Sequence, residues 1–495
     1  MPSWRPIKHF HKQAGIVLLV LLSGALLAAS RPARQTAAPQ PRRPDIIFVT
    51  APVAAFGPLT ARFPQGSRLV RLHLERKLEP LNLATGFFAV ADPQVSFDGA
   101  RVLFSGLRES KGRWQIWEMQ ADGTNKRQIT RCAQDCVRPA YLSGEEIVFT
   151  AVESRLARPV SYLVVAARDG SQPHRITFGP ADFQLETVLR DGRIVASAPW
   201  PLLAGSETPG GRQLYTLRPD GTALESLRCD HHESTVEAAA EELDDGSIVF
   251  LLNPAPADVI GGHLFAISRG ALRASALGPG NTIFWSARRL TADELLVARQ
   301  RSANQGTPSR FDLFVFDLAA NTIGAPVYSD PRSSSVQAVP LTPRPVPKRF
   351  WTTVSPQATE GDFVSLNSYL SADEPQGRIS TPIAHVRVHI LDPRKSLDHE
   401  LGDASVEQDG SFYVAVPPDQ PVRFELLDTN GKTIRSERSW IWARPGEQRG
   451  CAGCHADKAL SPANHWPLTF KRSDTPTHLG NTARASTPGP GNAQP

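Results

Sequence analysis

Short apolar runs separated by polar turns recur along the chain from about residue 45 to residue 330. One run follows a polar turn and centres on Phe104, Phe149, Val195, Phe250 and Val297, at spacings of 45, 46, 55 and 47 residues. A second run keeps step, around Trp117, Val164, Tyr215, Phe265 and Phe314. Apolar and polar positions alternate within the runs, as in "QIWEMQADG" and "QLYTLRPDG", which is the period of a strand with one buried face. Asp-Gly turns end several second runs, and Ile-Thr follows in two units, at Ile129-Thr130 and Ile176-Thr177. Units of about 40–50 residues built this way predict propeller blades.

Five units are complete, and a sixth can be assembled from both ends. "DIIFVTAPV" around Phe48 and "SRLVRLHLE" around Val70 supply two strands, with Val70 standing 47 residues before Trp117. That unit lacks an innermost strand, and "SSVQAVPLTPRP" (334–345) follows the last blade. A late strand completing the first blade closes the ring and removes its exposed edge. The prediction is six blades over 46–345, with a seven-bladed or open array as the alternative.

A Pro-rich bridge, "LTPRPVPKRF" (341–350), leads to a second patterned region. "GDFVSLNSYL", "AHVRVHIL", "DGSFYVAVP" and "VRFELLDTNGKTI" alternate and carry Asp-Gly and Asn-Gly turns, which predicts a small antiparallel β domain over 351–437. The expected class is therefore all-β: a six-bladed propeller, then the small domain, then a C-terminal segment at 438–470 that holds a cofactor. Residues 471–495 are rich in Ser, Thr, Pro and Gly and are expected to be a disordered tail.

Composition adds compartment and excludes one class of partner. Arg5, Lys8 and Lys12 precede an apolar run from Ala14 to Ala29 that ends in small residues, the layout of a secretory signal over 1–30. A Pro-, Ala- and Arg-rich linker over 31–45 follows. The expectation is export to the periplasm, with membrane contact only if the N-terminal segment stays uncleaved. The formal charge of +5 is scattered rather than clustered, so nucleic acid is not an expected partner. The 43 Pro and 36 Gly fit a turn-rich β protein.

The chemistry sits late in the chain, at Cys451-Ala452-Gly453-Cys454-His455. C-x-x-C-H is the attachment signature of c-type haem. Two thiols at this spacing form thioethers to the two vinyl groups of one porphyrin, and the next residue, His455, is held under the iron as proximal ligand. Half a zinc site is the first alternative, but zinc wants four ligands and the chain has no second C-x-x-C. A thioredoxin-like pair belongs beside a βαβ pattern, which the flanks lack. One covalent haem c is the expected cofactor.

Several residues are candidates around it. Trp440 and Trp442, just upstream, are large apolar surfaces that could pack on a porphyrin face or serve as core aromatics. His465 is a candidate distal ligand, and so are His231 and His232 in "CDHHES", which with Cys229 could instead hold a separate metal ion. Solvated loop histidines are the alternative there. His385 and His389 share a strand face and read as structural. Met119, the one methionine beyond Met1, stands mid-strand in a blade and is a poor candidate ligand. Cys132 and Cys136 read as a small disulfide in an oxidising compartment.

The residues also resemble known families. "DPQVSFDGARVLFSGLRESKGRWQIWEMQADGTNKRQIT" (92–130) resembles the periplasmic repeat of TolB-like propellers. "LGDASVEQDGSFYVAVPPDQPVRFELLDTNGKTIRSERSWIWARPGEQRGCAGCH" (401–455) resembles the haem-bearing middle region of the hydrazine synthase alpha subunit and its relatives. The resemblance covers the domain order from about 45 to 460. It implies a propeller, a small β domain and a c-type haem in an exported protein, with a redox partner or other subunits. It does not carry hydrazine chemistry across, because the alpha subunit resembles this chain only as far as its first haem and then continues into another haem domain.

Two functional readings with haem follow. In one, the chain is a monohaem cytochrome-like protein for electron transfer or small-molecule redox chemistry, a haem-dependent oxidoreductase if the iron keeps an open position, with the propeller as docking platform. In the other, it is a propeller interaction or sensor module whose haem is structural or senses gas or redox state. A TolB-like binding protein without haem is a third, weaker reading.

Overall fold

Every apolar run singled out between residues 46 and 317 forms a strand. The computed structural model describes residues 43–52, 63–75, 78–153, 160–200, 211–228, 235–254, 261–271, 273–301, 310–371, 374–392, 397–453 and 465–480. The expected signal peptide and most of the expected linker lie outside them. Residues from Arg43 onward pack as one unit.

Six groups of four strands make the first part of the fold, the fourth and fifth joined into one eight-stranded sheet by a parallel bridge between Arg212 and Val236. The first blade takes its inner strand, Ser333–Pro340, from the end of the propeller and pairs it antiparallel with Ile46–Pro52. The inner strands of blades two to six are Ala89–Val95, Asp135–Leu142, Gln184–Val188, Thr235–Glu242 and Phe284–Arg289. Each inner strand packs beside the next in cyclic order, and Phe284–Arg289 returns to Ser333–Pro340. The ring is closed by six blades, with no free inner edge.

The Asp-Gly and Ile-Thr signals have one physical explanation. Gly170 turns at φ +88 against the Ile129 carbonyl, and Gly221 at φ +84 against the Ile176 carbonyl. A Cβ at either glycine would collide with the backbone of the preceding blade. The threonines after those isoleucines cap their own blades: Ile116 N donates to Thr130 Oγ1 at 2.9 Å and Leu163 N to Thr177 Oγ1 at 3.0 Å.

The inner strands are bulged, and the bulges join the ring around its axis. Pairing slips within each of them or opposite them. Asp92, Arg138, Ala239 and Gln337 take φ of 51–56 at these slips. Such a bulge re-aims a side chain and frees an amide, and here both are used between blades. Gln337 Nε2 donates to Asp92 Oδ1 at 2.8 Å, and Arg138 N donates to Asp92 Oδ2 at 3.0 Å. Arg138 Nη1 reaches Glu186 Oε1 at 2.7 Å, and Ala239 N donates to Glu186 Oε2 at 2.8 Å. Arg288 Nη1 meets Glu241 Oε2 at 2.7 Å, and Gln337 N donates to Ser286 Oγ at 3.2 Å. A polar link thus crosses every blade junction, around a central cavity of about 230 Å³.

The small domain is two four-stranded sheets on a shared apolar core that includes Phe363, Val388, Val414 and Leu426. One sheet, with Leu397–Ser405, His385–Asp392, Val422–Leu427 and Thr433–Ser436, is antiparallel as expected. The other orders Gln448–Cys451, Gly361–Ser365, Phe412–Val416 and Thr477–His478, and its two outer strands pair parallel. The expected separate segment from 438 is therefore partly a strand of this domain. The expected disordered tail is corrected over residues 471–480: Thr477 and His478 pair with Val414 and Ala415, and Leu479 is buried in the core. Among the described residues no helix is long and apolar enough to cross a membrane.

Candidate functional site

Cys451 ends the strand Gln448–Cys451, which runs parallel to Gly361–Ser365 with Ser365 opposite Cys451. Leu366 N donates to the Cys451 carbonyl at 2.9 Å. The strand is fixed from its other side by the fourth blade. Glu447 Oε1 accepts from Ala223 N at 3.0 Å while its Oε2 accepts from Arg444 N at 2.8 Å. Arg449 Nη2 donates to Leu224 O at 2.6 Å and Nη1 to Trp442 O at 2.9 Å. Because side chains alternate along a strand, Glu447 and Arg449 share one face and both reach the turn at 220–224.

A cavity of about 500 Å³ lies between that turn and the cysteine strand, walled by Thr222, Leu224 and Glu225 on one side and by Gln448, Gly450 and Cys451 on the other. This is within the size range of small-molecule and cofactor sites. Cys451 is half-buried, and it is the one cysteine with a free thiol among the described residues. Burial pushes its thiol pKa up, with the charge of Arg449 opposing and that of Glu437 adding. The neutral sulfur is favoured there, unlike the thiolate that zinc requires. Cys454 and His455 lie outside the described residues.

The two tryptophans are occupied elsewhere. Trp442 is 1% exposed and sits in the apolar cluster of the third and fourth blades, edge-on to Phe183 at 5.6 Å and to Phe178 at 6.1 Å. Its indole N–H donates to Gly221 O at 3.1 Å. Trp442 is thus a core aromatic that ties the small domain to the propeller, and it has no free face for a macrocycle. Trp440 is buried with the Arg423 guanidinium 5.0 Å over its ring.

The histidine candidates are not brought together. His465 is exposed and its Nε2 meets Asp409 Oδ2 at 3.2 Å. Cys229, His231 and His232 lie outside the described residues. His385 is exposed, and His389 pairs with Glu425 at 3.3 Å. Met119 is 1% exposed in the propeller core. Cys132 and Cys136 form the expected disulfide. Among the described residues no three His, Cys, Asp or Glu side chains converge as a metal-binding group.

Residues 375–456 match the family model of the hydrazine synthase alpha subunit middle domain. That match spans much of the small domain and includes all three residues of the C-x-x-C-H signature. The hydrazine synthase subunit alpha of Kuenenia stuttgartiensis is 23% identical over an alignment covering 83% of this chain and 66% of that protein. The chain thus spans just under two thirds of that subunit's length. A solved structure of Kuenenia stuttgartiensis hydrazine synthase overlays with a TM-score of 0.74 at 20% identity, covering 87% of this chain and 71% of that one. The fold is shared across both the propeller and the small domain. TolB from Acinetobacter baumannii is a looser likeness, with a TM-score of 0.45 and 13% identity over 60% of this chain and 66% of that one.

The residues that position Cys451 were not singled out from sequence. Glu447 and Arg449 stand two apart just before the cysteines, which marks one strand face. Their partners, Ala223 and Leu224, lie more than 220 residues earlier, and no local pattern connects them.

Proposed function

We propose that the chain is an exported c-type haem protein, with Cys451 and Cys454 as the covalent anchors of one haem and His455 as its proximal ligand. The observation that carries this reading is Cys451 itself: a free, half-buried thiol on the rim of a cavity of about 500 Å³, at the head of C-x-x-C-H. A thioether sulfur carries no charge, so a site that disfavours thiolate suits it. Cys132 and Cys136 consume each other and leave Cys451 to its own chemistry. The match of residues 375–456 to the alpha subunit middle domain supports the same assignment.

When bound, the haem would supply one-electron transfer or small-ligand chemistry, chosen by the sixth coordination position. The chain's own part is mechanical. Glu447 and Arg449 hold the cysteine strand against the fourth blade, which keeps the attachment point rigid relative to the propeller. The propeller then serves as a docking platform for a redox partner or for other subunits, a role supported by likeness to a protein named as a subunit. Periplasmic location follows from the same reading, because covalent haem attachment belongs to the oxidising side of the membrane.

The deciding experiment is expression with cytochrome c maturation machinery, followed by absorption spectroscopy and intact-mass analysis. The expected result is one covalently bound haem per chain. A colourless protein of unmodified mass under those conditions would overturn the reading. Reduced protein that binds CO or NO would place it with the redox enzymes, and ligand-inert low-spin iron with the electron carriers.

A further inference from the structure

The bridge after the propeller runs across the foot of the ring. Leu341 N donates to Asp45 O, Arg344 N to Phe97 O and Lys348 N to Arg190 O, at 2.7–2.9 Å. Above it a cavity of about 100 Å³ continues the central one, sharing Gln94, Ala140, Arg288 and Val339 with it. Four guanidinium groups reach its wall: Arg190, Arg288, Arg289 and Arg344.

Three of the four have carboxylates. Arg288 pairs with Glu241 at 2.7 Å, Arg289 pairs with Asp244 at 2.8 Å, and Arg190 pairs with Asp244 too. Glu242, the other acid on the wall, accepts the Arg190 amide at 2.6 Å. Arg344 has no carboxylate within ion-pair distance among the described residues. Its Nη2 reaches only Val95 O, at a long 3.4 Å, and its plane lies 4.4 Å over Phe97. Burial pushes its pKa down to about 10, the nearby charge of Glu241 opposing. A guanidinium keeps its proton in this range, so Arg344 is a half-buried charge on the cavity wall without a carboxylate partner.

We infer that this end of the channel is a binding site for a small oxyanion (phosphate, sulfate or a short carboxylate), with Arg344 as its principal contact. A planar guanidinium fork matches two oxyanion oxygens at once, and Thr187 and Thr342 lie on the same wall. The cavity has room for a few water molecules or one such ion, given about 30 Å³ per water. The site lies on the propeller axis and uses neither Cys451 nor its cavity, so it stands or falls separately from the haem reading.

The test is calorimetric titration of the full chain with inorganic phosphate at constant ionic strength, with sodium chloride as the matched salt and sulfate and acetate as further arms. Saturable binding to the wild type is expected, weakened about tenfold or more in Arg344→Gln and partly retained in Arg344→Lys. Arg332→Gln, at an exposed arginine in the bend just before Ser333–Pro340 and outside the cavity wall, should bind as the wild type does. Should Arg344→Gln fail to fold, Arg344→Lys and Thr342→Val carry the test. Absence of saturable uptake of any of the three anions beyond chloride overturns the proposal, and so does undiminished affinity in folded Arg344 variants.

Discussion

Trp442 of the small domain donates its indole N–H to the carbonyl oxygen of Gly221, 3.1 Å away in a turn of the fourth blade. The donor enters a pocket that the propeller's own aromatics, Phe178 and Phe183, line edge-on. One side chain from the small domain thus completes the core of another domain. Trp442→Ala should cost about 3–5 kcal/mol and split a single urea transition into two, as the domains lose their tie. Trp442→Phe keeps most of the apolar contact and leaves Gly221 O unpaired, so about 1 kcal/mol is expected. Unfolding followed by both fluorescence and far-ultraviolet dichroism distinguishes these outcomes. An unchanged single transition in the alanine variant would contradict the role assigned to Trp442.

Glu186 holds three donors from three strands: Arg138 Nη1, Ser197 Oγ and Ala239 N, at 2.7–2.8 Å. It is 7% exposed, and the Arg138 side chain beside it is only partly exposed, at 20%. Glu186→Ala strands that charge and should cost about 3–5 kcal/mol in urea denaturation. The double substitution Arg138→Met with Glu186→Leu should cost clearly less than the two single losses combined, because it removes both charges together. Additive losses would show that the pair is not coupled.

Cys451→Ala should bring covalently bound haem, read from the haemochrome after acid–acetone extraction, to a small fraction of wild type. The doubly substituted Cys132→Ala, Cys136→Ala should keep its haem and lose only about 2 kcal/mol of stability, the size expected for so short a closed loop. Equal haem content in wild type and Cys451→Ala would remove Cys451 from the attachment site.

Asp409 ties the segment after the haem signature to the small domain. Burial works against its charge. Hydrogen bonds from Ser411, the Leu468 amide and His465 outweigh that and hold its carboxylate below the usual range. A depressed carboxylate contributes stability that is fully present above its unfolded value, about 4, and is lost as pH falls through the lower folded value. Pepsin should therefore release the segment around 465–470 increasingly between about pH 4 and pH 2, and Asp409→Asn should abolish that pH step by releasing it already at pH 4. Release that is independent of pH in the wild type would rule out this anchor.

Much of the propeller was legible because each blade repeats the same local problem. The anchors Phe104 and Phe149 mark equivalent strands, and Ile129 and Ile176 mark the contact of one blade's edge with the next blade's glycine turn. Even the ring closure could be read, since the first unit lacked a strand and the last had one to spare. The polar belt could not. Asp92 and Gln337 are 245 residues apart, and only the closed ring makes them neighbours. A faint signal exists: Arg138, Glu186 and Ala239 recur near the blade period, but at residue types too different to align. Trp442 was ambiguous for a similar reason, because its partner turn lies 221 residues earlier. In the cysteine signature the situation is reversed: its spacing is local, so the haem proposal comes from the sequence, and the structure contributes the mount for Cys451.

Pairing Ile46–Pro52 with Ser333–Pro340 also imposes a schedule on biosynthesis. A chain emerging from a ribosome or a translocon can build blades two to six in turn, yet the first stays incomplete until the sixth has passed. The scaffold is therefore latched only once nearly 340 residues are out. The cysteines at 451 and 454 appear later still, so any enzyme that decorates them meets a propeller already shut.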